Sequence, residues 1–199
     1  MTDLFPSPIL VIDTETSGLP RQEEARIIEI GAVLIGCDCE EIAFFESLVR
    51  PNIFSPTKAK YALKVTGITA EEVFAADPEA EVYRDFRAWC DEHEVEWVTA
   101  FNIGFDKQML ERSGVTFKRW ASCIMLKACD EMKLPHKNGR RGNKWPKLAE
   151  EAAPFYNVNV EGEAHRALYD ARVAAEVMKA IRRQELGLLP ADESPQSTG

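Results

Sequence analysis

The chain's 199 residues, 45% of them apolar, are enough for one well-buried domain and too few for two comfortable ones. A net charge of −9 argues by itself against a phosphate-rich partner. The opening Met-Thr-Asp-Leu-Phe-Pro-Ser-Pro has neither the basic nor the apolar region of a leader, and the apolar runs, such as 9–12, are far too short to cross a membrane. Five cysteines, an odd count with no Cys-x-x-Cys spacing, predict reduced thiols and a cytoplasmic location.

Residues 9–13 begin with a continuous apolar run, which predicts a strand buried on both faces. Residues 27–35 and 42–49 read as two more strands joined by a turn through Gly36-Cys37-Asp38-Cys39-Glu40, an antiparallel meander. Helices are then expected around 79–93, 104–113, 122–132, 146–153 and 166–185, with a short strand at 96–100 between the first two. Pro78 stands at a helix start, and Gly114 and Gly187 stand at helix stops. The segment from Pro135 to Asn143 holds two glycines and no periodicity, so it reads as a loop. The polar stretch after Leu189 predicts a disordered tail over 188–199, leaving 1–187 as the domain. The result is a sheet with helices packed against it.

Three short segments place acids where a core or a sheet end should be. Asp13-Thr14-Glu15 closes the first strand, and alternation sends both carboxylates to one face. Two like charges held together call for a cation, although solvated strand-end acids would look the same. Gly18 permits a sharp exit from the strand, leaving the pair at the mouth of the sheet. In Phe101-Asn102-Ile103-Gly104-Phe105-Asp106, Asp106 shares the buried helical stripe of Leu110; the alternative is an acid lining the helix N-terminus. In His165-Arg166-Ala167-Leu168-Tyr169-Asp170, Asp170 lies on the stripe of Ala174, Val177 and Ile181, while His165 precedes the helix on a loop or serves as a structural histidine.

Taken together and in this order, Asp13-x-Glu15, Asn102-x-x-Phe105-Asp106 and His165-x-x-x-x-Asp170 resemble the three motifs of the DEDDh exonuclease family over about residues 8–182. The sister subfamily has a tyrosine four residues before the last acid; here that position is Arg166, so the histidine subtype is the better match. The resemblance implies a ribonuclease H-like α/β fold, a mixed five-stranded sheet flanked by helices. It implies that Asp13, Glu15, Asp106 and Asp170 hold two Mg²⁺ or Mn²⁺ ions, with Asp106 acting mainly through water. Hard oxygen ligands suit these ions better than zinc. His165 would be the general base, since a histidine can take a proton near neutral pH. By the same resemblance Thr16, Gly18 and Leu19 hold the terminal nucleotide, and Asn102 belongs to the second motif. Gly67-Ile68 would pack against the terminal base. Phe101 and Thr66 stand where many members have histidine.

One segment sets itself apart by charge. Residues 136–147 hold Lys137, Arg140, Arg141, Lys144 and Lys147 and no acid, which leaves −14 for the rest of the chain. Lys137, Arg140 and Arg141 are candidate phosphate contacts, against the alternative of a solvated loop. Trp145 either stacks on a base or anchors the loop to the core. The implied activity is 3'-to-5' hydrolysis of nucleic-acid ends, single-stranded DNA favoured. An exoribonuclease or oligoribonuclease is the alternative, and an inactive nuclease-fold interaction module is the reading from another class.

Overall fold

The structure, a computed structural model, describes residues 5–162 and 165–187; the expected tail over 188–199 lies outside the described residues. Strands β1 (Ile9–Thr16), β2 (Ile27–Ile35) and β3 (Glu41–Leu48) form the antiparallel meander. Two short strands, β4 (Trp97–Thr99) and β5 (Arg119–Trp120), add on in parallel to give a five-stranded mixed sheet in the order β3-β2-β1-β4-β5.

The sheet separates two cores. Ile9 and Val11 of β1, with Val33 and Ile35 of β2, pack against α5 (Ile124–Met132) and α7 (Ala167–Glu185). Leu10 and Ile12 point the other way, toward α3 (Glu79–Glu92) and α4 (Ile103–Arg112). Strand alternation therefore puts Asp13 and Glu15 on the α7 face and Thr14 on the α4 face. α7 approaches β2 closely because β2 has a glycine there: a Cβ on Gly31 would lie 2.1 Å from the Ala167 and Leu168 backbone. That contact fixes the start of α7 over the end of β1, since Gly31 is the register partner of Asp13.

Two helices have no counterpart in the sequence pattern, α1 (Pro56–Thr66) and α2 (Ala70–Ala75). α1 buries only Ala59 and Thr66 and leaves Tyr61 and Val65 exposed, so it has no apolar stripe to read. The helix expected at 146–153 is instead a π-helical turn over Leu148–Ala152, in which the Ala152 amide donates to the Lys147 carbonyl at 2.9 Å. It runs into the three-residue α6 (Ala153–Phe155). Pro154, which has no amide hydrogen, sits in that continuation. Among the described residues no helix is long and apolar enough to cross a membrane.

Candidate active site

Glu15 and Asp13 arrive at the end of β1, and Asp170 arrives one turn into α7, whose first residue is pinned to β2. Carboxylate oxygens of Asp13, Glu15 and Asp170 lie within 4.8 Å of one another. Asp106 comes from the other layer, at the start of α4, and is only 3% exposed. Its Oδ1 accepts from the Thr14 amide at 3.0 Å and from the Thr14 hydroxyl at 2.8 Å. Asp106 thus stands behind the trio, close enough for its charge to oppose the ionisation of Asp13 and Glu15 without joining the 4.8 Å group.

Burial and mutual repulsion dominate the electrostatics of the four acids. Burial pushes Glu15 up to about 8, helped by the charges of Asp170, Glu29 and Asp106. Burial raises Asp106 to about 7 although both Thr14 hydrogen bonds pull it down. Asp170 is raised to about 6, again by burial, against the pull of His165, whose backbone N–H faces its carboxylate. Asp13 is held well above the carboxylate range by burial first and then by its acidic neighbours, Asp106 foremost. Carboxylates so crowded favour protonation unless cations sit among them. Hard divalent ions fit this donor set of oxygens, with Asp13, Glu15 and Asp170 in reach of a common ion.

His165 is exposed and takes a left-handed φ of 66°, a conformation uncommon for a residue with a side chain. Its segment is held by a contact absent from the sequence reading. Glu29, fully buried on β2 opposite Glu15, accepts from the Arg166 guanidinium at 2.5 and 2.9 Å and from the Ala167 amide at 2.9 Å. One carboxylate therefore ties down the two residues that follow His165. The signal was present in the sequence: Glu29 is the lone charge in the nine residues of β2.

Beside the acids a cavity of about 270 Å³ opens between the turn after β1 and helix α1. Its walls include Glu15, Thr16, Gly18, Leu19, Tyr61 and Val65. The Thr16 hydroxyl donates to the Gly18 carbonyl at 2.7 Å, and the Leu19 amide donates to the Gln22 side chain at 2.5 Å, which shapes the turn. Gly67 and Ile68 are not on this wall. Gly67 ends α1 in a left-handed conformation (φ 71°), and Ile68 turns inward to pack with Ile28 and Val73. The apolar wall offered to a ligand is Leu19 with Val65. Asn102 lies at the N-cap of α4, its carbonyl accepting from the Phe105 and Asp106 amides. Lys137, Arg140 and Arg141 are exposed on the loop and are not among the residues lining the cavity.

The RNase_T family, described as exonuclease, matches residues 10–178. A protein of Escherichia phage 186, "Uncharacterized exonuclease CP81", is 28% identical over 183 residues, spanning 87% of this chain and 88% of that protein. The "DNA polymerase III PolC-type" of Listeria innocua is 30% identical over 166 residues, 83% of this chain but only 10% of the polymerase. Among solved structures, the nuclease domain of 3'hExo, "a DEDDh family member, bound to rAMP", superposes with a TM-score of 0.67 at 22% identity, covering 94% of this chain and 96% of that one. E. coli Exonuclease I in complex with a dA16 oligonucleotide gives a TM-score of 0.64 at 19% identity, over 88% of this chain and 40% of that one.

Proposed function

The chain belongs to the RNase_T exonuclease family, and from that premise we propose that it is a DEDDh enzyme that removes nucleoside monophosphates one at a time from the 3' ends of single-stranded DNA. The observation that carries this reading is the convergence of Asp13, Glu15 and Asp170 to within 4.8 Å, with Asp106 behind them and His165 against Asp170. We assign the cation-holding role to these four acids, in a single domain over 1–187. Unpaired thiols at all five cysteines suit a cytoplasm.

Two Mg²⁺ or Mn²⁺ ions in such a site supply positive charge that makes water acidic and offsets charge on the attacking and leaving oxygens. The chain's own residues do the rest. The Leu19–Val65 wall receives the terminal base, and the turn held by the Thr16–Gly18 bond fixes the sugar beside Glu15. His165 takes a proton from the attacking water; the new P–O bond forms as the bond from phosphorus to the 3' oxygen of the preceding nucleotide breaks. That oxygen leaves with a proton from solvent, so one water is consumed and a nucleoside 5'-monophosphate is released. Lys137, Arg140 and Arg141 hold phosphates further along the strand.

The relatives' ligands support a second reading, an exoribonuclease, because 3'hExo was solved with rAMP where Exonuclease I was solved with dA16. Incubation with DNA and RNA 20-mers, single-stranded and duplex, each labelled at the 5' end, in Mg²⁺ or Mn²⁺ separates the two. A ladder shortening from the 3' end of single-stranded DNA is expected. Faster loss of the RNA ladder establishes the second reading, and no shortening of any substrate overturns both.

A further inference from the structure

The basic loop ends in an aromatic ring that the protein holds out to solvent. Trp145 is 61% exposed, whereas its neighbour Pro146 is buried, so the proline and not the tryptophan anchors this segment to the core. The backbone on the other side is fixed as well. The Lys144 amide donates to the Leu134 carbonyl at 2.7 Å, the Cys129 thiol contacts the Lys144 carbonyl at 3.5 Å, and a bridge between Pro135 and Asn143 closes the loop. A large apolar side chain exposed on a rigid backbone gives up its own burial and keeps a flat face ready at little further cost in entropy.

The surrounding charges say what that face meets. At the base of the loop Lys144 pairs with Glu151 and Lys147 with Glu150. At its tip Lys137, Arg140 and Arg141 are exposed and form no ion pair among the described residues. In a chain whose remainder carries −14, three uncompensated cations beside an exposed indole match a strand that alternates phosphates with flat bases. The base of the loop lies within electrostatic reach of the site. Lys147, two residues beyond Trp145, interacts electrostatically with Tyr61, which is 80% exposed on the wall of the terminal cavity. Glu150 interacts likewise with His165 and Asp170.

We propose that Trp145 is a stacking platform for an unpaired base upstream of the 3' end, so that a single strand runs from the Leu19–Val65 cavity past Tyr61 to Trp145 and the three free cations. The inference rests on the strand-binding half of the function proposed above. It adds a specificity: a base already paired and stacked in a duplex cannot lie on the indole, so Trp145 favours single-stranded ends whatever their sequence.

The test measures binding apart from turnover, with the wild-type protein, Trp145→Ala and Trp145→Phe in Ca²⁺. The ligand is a fluorescent single-stranded 20-mer carrying phosphorothioate linkages at its 3' end, with the matching blunt duplex as control. Trp145→Ala should weaken single-strand binding about 5- to 150-fold, the size of one stacked base, and Trp145→Phe should recover most of it. Affinity for the duplex, circular dichroism and turnover of a dinucleotide should stay unchanged. Equal single-strand affinity in wild type and Trp145→Ala overturns the proposal, and so does an equal loss for strand and duplex. A change of oligomeric mass in Trp145→Ala with unchanged affinity also overturns it, by making the indole a protein contact. If the wild-type protein releases no nucleotide in Mg²⁺ or Mn²⁺ but its strand affinity still depends on Trp145, the nuclease reading fails and the platform stands.

Discussion

The acidic end of the sheet and the basic loop carry opposite charges and are built in opposite ways. The acids are set by long-range contacts: Asp106 to Thr14 across 92 residues, and Arg166 to Glu29 across 137. The loop is set locally, by a bridge between Pro135 and Asn143 and left-handed glycines at 139 and 142. Chemistry on a phosphodiester needs reacting groups placed to a fraction of an ångström, which tertiary contacts can provide. Holding phosphates needs positive charge within reach, and a short loop suffices. Substitutions at the acidic end should therefore change turnover, and substitutions in the loop should change affinity.

The largest effect is expected from Asp13→Asn, at the centre of the mutual repulsion. Loss of several kcal/mol of stabilisation in the transition state corresponds to about 10³-fold or more in turnover, with substrate affinity changed little. Near-normal turnover of Asp13→Asn in saturating Mg²⁺ would end the cation-site assignment. His165→Ala should cost roughly 10²- to 10⁴-fold and leave Mn²⁺ binding intact by calorimetry. A matching loss of metal affinity would make the histidine a ligand or a support.

Next comes the pair that holds the His165 segment. Glu29→Gln keeps an acceptor for the Ala167 amide but removes the charge facing Arg166. Breaking a charge pair with one fully buried member should cost about 1 to 3 kcal/mol of stability, reduced from larger values because the Arg166 side chain is partly exposed. Turnover should fall while KM holds, as His165 and Asp170 lose their common anchor. A variant with wild-type turnover but lower stability would confine Glu29 to a structural role.

How far the sequence disclosed these regions follows from the same contrast. β1 and β2 were legible as unbroken apolar runs and α4 and α7 as apolar stripes of helical period, and their acids stand out as interruptions of those patterns. α1 was hidden because it buries only Ala59 and Thr66, and β5 because two residues make no pattern. Glu29 was visible as a lone charge, but its partner across 137 residues was not, so Arg166 registered only as a departure from tyrosine. Trp145 had two readings because stacking and anchoring place the same residue before the same proline; its exposure beside a buried Pro146 counts against the anchoring one.

A smaller effect concerns the acids without their cations. Glu15, Asp106 and Asp170 ionise near 8, 7 and 6 in the folded chain, raised chiefly by burial, whereas in the unfolded chain they ionise near the ordinary value of about 4. Between about pH 4 and 8 the folded chain thus binds more protons than the unfolded one, so raising the pH removes stability. In EDTA the melting temperature should fall from pH 5 to pH 8, by about 2 to 4 °C per kcal/mol lost in a chain of this size. Mg²⁺ should raise it more at pH 8 than at pH 5. Asp106→Asn should flatten the decline, and a metal-free melting temperature that climbs over this range would show that the acids do not share one site.

The mildest substitution should be the triple Lys137→Ala, Arg140→Ala, Arg141→Ala, because it touches no residue of the acidic site. Each phosphate contact releases about 0.7 to 0.9 counterions, so three contacts make the decline of log affinity with log salt steeper by about two units. Removing them should flatten that slope by the same amount and weaken a 20-mer uniformly across sequences. Hydrolysis of a dinucleotide, which extends no further than the acids and the Leu19–Val65 wall, should be nearly unchanged. The salt slope discriminates better than affinity alone: a loop that merely supported the fold would lower affinity at every salt concentration and leave the slope as it was. An unchanged slope in the triple variant would remove the three cations from the protein's grip on its substrate and leave the cavity, the acidic site and Trp145 to hold it.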